Sequence, residues 1–255
     1  SKTKKARFTT QVARDMYVHD SFQDSIIQAI KDSRLGTRGR YRYGCTNFIL
    51  LKMAVERAME QSMDRLLHES FFKGLGTTYL TYNPLLVMDS TRIVPTENDQ
   101  FIRRQLLRGY VHDEAAAFQG GVSGNAGLFS NANDLAKVLQ LYLNDGMYGG
   151  ESYLSQETTR LFTHSKSPTS RRGLGFDKPA VGASKGSPCC DLAPASVYGH
   201  TGYTGTCFWI DPDNQLLYIF LSNRVHPTRV NNKLGSLDIR TRIQEVIYKA
   251  IRVGK

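Results

Sequence analysis

"YGHTGYTGTCFWIDPDNQLLYIFLSN", Tyr198 to Asn223, is the stretch whose reading decides the fold class. Two apolar runs, "TCFWID" and "QLLYIFLSN", flank "PDN", a turn signal, and so predict an antiparallel hairpin. Ahead of them "YGHTGYTG" alternates threonine with aromatics and is broken by three glycines. Such an edge lets another group approach the backbone closely. Beyond the hairpin, Ile243, Val246, Ile247, Ala250 and Ile251 recur at one-face helical spacing, which predicts a C-terminal helix with that stripe packed as core.

Working back toward the start, the period changes from two to 3.6. "DSFQDSIIQAIKDSRLG" makes residues 5–33 helical in parts, with Phe22, Ile26, Ile27 and Ile30 apolar and a glycine stop. Phe48, Leu51, Met53–Val55 and Met59 fit one helix; Met63, Leu66, Leu67 and Phe71 fit a second, closed by Gly74 and Gly76. Residues 77–125 read as irregular. "GGVSGNAGLFSNANDLAKVLQLYLNDGMYGG" supplies a glycine turn and a helix capped near Ser130–Asn133. Residues 164–196, rich in Ser, Gly and Pro, read as a long surface excursion. The expected class is α+β, in three parts: an N-terminal helical and irregular segment (1–40), a mainly helical region (41–195), and antiparallel strands with a C-terminal helix (196–255).

Composition bounds the partners. The 255 residues suffice for one large domain or two small ones, and the mean hydropathy of −0.37 fits a soluble globular protein. No apolar run reaches the roughly 18 residues needed for a membrane span. The opening "SKTKKARFTT" is no signal peptide, so for an exported protein the signal lies outside this chain. A net charge of +10 admits an anionic partner, but the basic residues are scattered and no zinc-finger, RNP-like or basic-helix pattern accompanies them. Nucleic acid is therefore set aside. Cys45, Cys189, Cys190 and Cys207 form no CxxC and are expected as free thiols, with a bridge from Cys189 or Cys190 to another cysteine left open. The six histidines show no HxxxH or HxH spacing, so neither metal nor cofactor is expected.

The order of three segments carries a family likeness. "YGCTNFILLKMAVERAMEQSMDRLLHESFFKGLG", "GGVSGNAGLFSNANDLAKVLQLYLNDG" and "GHTGYTGTCFWIDPDNQLLYIFLSN" resemble, in the same order, the second motif, the glycine turn and the third motif of serine β-lactamase-like hydrolases. The family includes class C β-lactamases and penicillin-binding-protein-like enzymes, and the likeness covers roughly residues 40–252. It is closest to the lactamase-like module that follows glycoside hydrolase family 3 modules in bacterial envelope proteins.

That resemblance implies acyl transfer on an amide or ester, which needs an activated hydroxyl, a base and N–H donors for the oxyanion. Tyr43 would be the proton-handling tyrosine, and a tyrosine packed at the helix entry beside Phe48 is the bland alternative. His200 takes the third-motif cation position, against a plain polar residue on a sheet edge. Thr201 and Gly202 would contact substrate, Gly202 by allowing close approach, and the Tyr203 N–H would serve as the oxyanion donor. Cys45 stands where the second motif places an asparagine. A thiol is a weak hydrogen-bonding group, so this substrate-binding position departs from the pattern, and Cys45 reads as a buried structural thiol.

The remaining motif of the family is Ser-x-x-Lys, with nucleophile and base one helical turn apart. "SKTK", Ser1 to Lys4, matches by letters only. It has no apolar helix behind it and too few residues before Tyr43, and is rejected. The glycine turn lacks the closing Gly-Lys-Ser/Thr of a phosphate loop. The expectation is a β-lactamase/transpeptidase-like chain with its N-terminal strands and nucleophile segment missing, inactive alone. Its partner would be the upstream part of the same polypeptide, a glycosidase module included, in the bacterial envelope, periplasmic or exported. The alternative is a non-catalytic interaction module attached to a family 3 β-N-acetylglucosaminidase-like enzyme, with self-association open.

Overall fold

The structure, a computed structural model, describes residues 1–164, 167–180 and 186–253. Residues 165–166 and 181–185 of the expected surface excursion lie outside the described residues. The chain divides into two compact units, Ser1–Ser130 with Val225–Arg229, and Asn131–Arg224 with Val230–Lys255.

The first unit opens on a hairpin, β1 (Thr10–Ala13) with β2 (Met16–Val18), before its first helix, α1 (Phe22–Lys31). Of the segment expected to be helical in parts, only the "SFQDSIIQAIK" stretch is so. The hairpin forms because Val12 buries against Val111, Ala116 and Ala117, with Met16 and Val18 packed on the same cluster. Next come α2 (Thr46–Met59) and α3 (Met63–Leu67), which continues through a π-helical turn, His68–Phe72. The irregular segment holds short strands β3 (Thr81–Tyr82), β4 (Pro95–Asn98) and β5 (Leu106–Arg108) and the helix α4 (Glu114–Phe118), and β6 (Leu128–Phe129) follows it. β4 pairs with β5, and β3 with β6.

Polar anchors organise this region where apolar periodicity is lacking. At the tip of the β4–β5 hairpin, Asp99 accepts from the Phe101 and Ile102 amides at 2.7 and 3.1 Å and from Arg103 Nε at 2.8 Å. The guanidinium of Arg103 then donates to the Val111 and His112 carbonyls, both at 2.6 Å. Arg229 grips Glu97 with two 2.7 Å bonds and reaches Glu114 at 2.9 Å. Glu97, Asp99 and Arg103 are buried, and a buried charge persists in a fold only when paired and hydrogen-bonded.

The second unit is built on the predicted hairpin. Its opening helix α5 (Ala132–Leu143) is capped by Asn131, whose side chain accepts from the Asp134 amide at 2.8 Å. β7 (Met147–Tyr148), β8 (Glu151–Ser152) and α6 (Gln156–His164) follow. Then β9 (Tyr198–Thr201), β10 (Cys207–Asp211) and β11 (Leu216–Phe220) form an antiparallel sheet in the order β11-β10-β9. The short α7 (Lys233–Ser236) leads into α8 (Ile239–Val253).

Both faces of that sheet are covered, which is why its strands read as continuous apolar runs. Tyr198 and Ile210 pack with Leu139 of α5, joined by Phe208, Leu217 and Ile219. Cys207, Trp209 and Tyr218 face the other way, onto Cys189, Val197 and Ile247.

Two expectations need correction. The stripe expected to bury α8 does so only in part: Ile247 packs on the core and Ile251 is half-buried, but Ile243, Val246 and Ala250 are exposed, whereas Gln244 and Tyr248 are buried. Polar anchoring rotates the helix. Gln244 Oε1 accepts from the Cys190 amide at 2.9 Å, and the Tyr248 hydroxyl donates to Asp211 Oδ2 at 2.6 Å. Nor is 164–196 a surface excursion throughout, since Asp177, Lys178, Pro179, Cys189 and Cys190 are buried.

Gly199 on β9 has no room for a side chain, because a Cβ there would lie 2.0 Å from the Phe208 carbonyl oxygen and 2.7 Å from Trp209 Cε3. Gly199→Ala is expected to cost about 3 kcal/mol, the upper range for overpacking. Urea unfolding followed by the single tryptophan, Trp209, measures it, and an unchanged midpoint would refute this account of the sheet.

Candidate active-site edge

In the second unit the "HTG" residues lie where β9 ends and turns back into β10. The Gly202 amide donates to the Thr206 carbonyl at 2.8 Å, and the Gly205 amide returns to the Gly202 carbonyl at 3.0 Å. Gly205 holds φ +104°, a conformation that favours glycine. A Cβ at Gly202 would stand 2.3 Å from Thr206 Oγ1. The bareness of Gly202 therefore already serves the turn itself, besides any approach by a substrate. Tyr203 is exposed at the apex, with the Arg224 guanidinium carbon 4.7 Å from its ring centroid.

His200 sits on the same face of β9 as Tyr198, opposite Phe208 of β10. Its Nδ1 donates to the Thr201 carbonyl at 2.8 Å, and Nε2 accepts from Arg172 Nη1 at 2.8 Å. Burial lowers its pKa first; the hydrogen bond to Thr201 opposes this, and the Arg172 charge adds to the lowering. The ring at the expected cation position is uncharged at neutral pH.

The charge nearby belongs to arginines. Asp177, wholly buried, receives Arg171 Nε at 2.7 Å and Nη2 at 3.0 Å, Arg172 Nη2 at 2.9 Å, and the Lys178 amide at 2.9 Å. Its backbone exchanges two hydrogen bonds with Gly199, at 2.7 and 3.0 Å, so residue 177 extends the sheet beyond β9. Neither arginine was singled out from sequence. "SRRGLGFDKP" carries an Arg-Arg pair and an aspartate five residues beyond it, but nothing local tells that the aspartate folds under the strand edge.

Tyr43 and Cys45 belong to the first unit, at the entry to α2. Both are exposed. Reading Cys45 as a buried structural thiol is thus corrected: it is exposed, at the N-cap position of α2 in the turn "YRYGCT". All four thiols are free, and burial pushes that of Cys207 up to about 11. Gly124 of the glycine turn abuts α2, since a Cβ there would meet the Phe48 carbonyl oxygen at 2.1 Å.

A second Ser-x-x-Lys, Ser70 to Lys73, was passed over among the helical residues and could have been found by spacing alone. Ser70 lies in the π-helical turn, both residues are exposed, and the pair follows Tyr43 in the chain, whereas the family motif precedes it. Among the described residues no group of metal-ligating side chains occurs, and no helix is long and apolar enough to cross a membrane.

Comparison with known proteins places these features in context. The family model described as "Beta-lactamase" matches residues 6–240. A "Putative D-alanyl-D-alanine carboxypeptidase" of Escherichia coli K12 is 36% identical over 229 residues, covering 84% of this chain and 52% of that protein. Its namesake in Salmonella gallinarum is 34% identical over 211 residues, 78% of this chain and 48% of that one. The chain thus spans about half the length of the curated relatives it matches. Among solved structures, a β-lactamase from Mycobacterium bovis aligns with TM-score 0.57 at 18% identity, covering 83% of this chain and 64% of that one. A penicillin-binding protein homologue from Pyrococcus abyssi aligns at 0.55 and 19%, covering 79% and 43%. These likenesses establish the α+β fold as β-lactamase/transpeptidase-like.

A histidine whose folded pKa lies below the ordinary 6.5 protonates later in the folded state than in the unfolded one. It favours folding above pH 6.5, and that contribution is lost as the pH falls through the folded pKa. His200 behaves so, and so does His112, whose burial outweighs the raising effect of Glu97. Stability is therefore expected to drop on going from about pH 7.5 to about 5.5, before carboxylates titrate. Melting temperatures across that range test it, and a flat profile would contradict it.

Proposed function

The chain belongs to the β-lactamase family, and from that premise we propose that it forms the C-terminal part of a serine acyl hydrolase acting on an amide or ester. The observation that carries the reading is the His200-Thr201-Gly202 edge, a turn with a charged cluster beside it at the end of a covered sheet strand. Support for a cell-wall-derived substrate comes from the relatives named for D-alanyl-D-alanine carboxypeptidase activity. In this reading Tyr43 handles the proton and the Tyr203 N–H donates to the oxyanion. Thr201 and Gly202 contact the acyl group, with Cys45 replacing the usual amide partner. The nucleophile comes from an upstream segment of the same polypeptide, which also carries the export signal and a family 3 glycosidase module. The site is that of an envelope enzyme.

On these terms the 255-residue chain has no acyl-hydrolase activity by itself. A fluorophosphonate or fluorescent penicillin probe should label no serine in it. Labelling abolished by Ser70→Ala, or by changing any other serine of this chain, would overturn the assignment.

One feature supports a second reading, an interaction module attached to the glycosidase: Ile243 and Val246 leave an apolar stripe exposed on α8. Self-association belongs to this reading, and sedimentation of the isolated chain distinguishes it from a monomeric hydrolase part.

A further inference from the structure

The contact between His200 and Arg172 constrains both residues more than either hydrogen bond does alone. The Thr201 carbonyl can only accept, so His200 Nδ1 carries the proton. Arg172 Nη1 can only donate, so Nε2 must offer its lone pair. A protonated ring would set an N–H against an N–H at 2.8 Å. The geometry thus admits one tautomer in one charge state.

Arg172 is fixed from two sides, by His200 Nε2 through Nη1 and by Asp177 Oδ2 at 2.9 Å through Nη2. Arg171 holds the same carboxylate through two bonds. Two guanidiniums therefore share one carboxylate, so the group Arg171, Arg172 and Asp177 is itself net positive, and the ring contributes no charge. Across the sheet, β10 presents Phe208 to His200. Lys178, next to Asp177, is a further cation, bonded through Nζ to the Thr163 carbonyl and lying 5.7 Å from the Tyr198 ring centroid.

We propose that Arg172 carries the positive charge of the His200-Thr201-Gly202 edge, and that His200 is its positioning residue, accepting a hydrogen bond that holds the guanidinium beside the strand. An anionic group of the substrate then meets a guanidinium held by two partners, in place of an imidazole. The proposal deepens the acyl-hydrolase reading in what it says of substrate. In what it says of the two side chains it stands on the geometry alone.

The test reads His200 directly, by nitrogen-15 spectra of labelled histidine in the 255-residue chain. In the native sequence His200 should stay in the Nδ1–H form from about pH 7.5 to about 5.5. In Arg172→Met, which removes the donor, proton affinity of the ring should rise about tenfold, one pH unit of titration. Arg172→Lys, keeping a donor and the charge, should restore the late titration. A His200 ring charged at neutral pH in the native chain overturns the proposal, as does an Arg172→Met titration identical to native. Should Arg172→Met fail to fold, the native titration and Arg172→Lys decide the matter.

Substrate charge is tested with N-acetyl-D-alanyl-D-alanine against its C-terminal amide, using the full-length protein. Preference for the free carboxylate should be unchanged between about pH 7.5 and about 6, and should fall about tenfold in Arg172→Met. A native preference that grows as the pH falls, in step with ring protonation, would return the charge to His200 and overturn the proposal. If neither peptide binds, the acyl-hydrolase reading fails by itself, and the ring titration still decides the residue pair.

Discussion

The second unit depends on one wholly buried carboxylate, Asp177. Removing a carboxylate from water costs several kcal/mol, and only close, well-aligned partners offset it. Here Arg171, Arg172 and the Lys178 amide supply them, and the antiparallel bridge to Gly199 sets the carboxylate against β9. Gly199 has to be bare because the Phe208 carbonyl and Trp209 occupy the space of its missing side chain. The same stretch of strand thus packs a tryptophan on one side and fixes an arginine cluster on the other. Catalytic chemistry of the proposed kind needs groups held in place before substrate arrives, and this arrangement supplies rigidity where the sheet would otherwise end in an open edge.

How much of this was legible in the sequence depended on whether the signal was local. The hairpin was legible because apolar alternation and "PDN" are both set by neighbours in the chain. So was α5, where Asn131 precedes a periodic apolar run. The orientation of α8 was not. Its most apolar stripe runs through Ile243, Val246 and Ala250, yet the helix buries Gln244 and Tyr248 because each finds a partner far away in sequence, at Cys190 and Asp211. A hydrophobic stripe measures transfer free energy alone. Where hydrogen bonds to buried groups are at stake, about 1 kcal/mol or more each, they can rotate a helix by most of a face. The segment 77–125 is irregular for the same reason, its turns being fixed by Asp99, Arg103 and Arg229 more than by any period.

The candidate site divides along the same line. Glycines and the "HTG" letters were readable, because backbone turns impose residue types at fixed offsets. What these letters could not reveal was the charge state of His200, whose pKa burial lowers first and Arg172, 28 positions away, lowers further. Cys45 was misjudged because the lack of a paired base in the sequence was read as burial, whereas a thiol without such a base can equally stand exposed at a helix N-cap.

Ser70–Lys73 shows why a motif is a geometric statement before it is a string. One helical turn separates the two residues, as the chemistry of a serine nucleophile and lysine base requires. Spacing alone is not sufficient, however. A lysine works as a base when its surroundings disfavour the charged form, and burial is the usual means. Lys73 is exposed, so burial does not supply that means, whatever its distance from Ser70. His200 marks the converse: its surroundings do enforce one charge state, through a donor, an acceptor and partial burial acting together. Chemistry follows from that enforced state, and a site is better sought where several groups constrain one proton than where four letters agree.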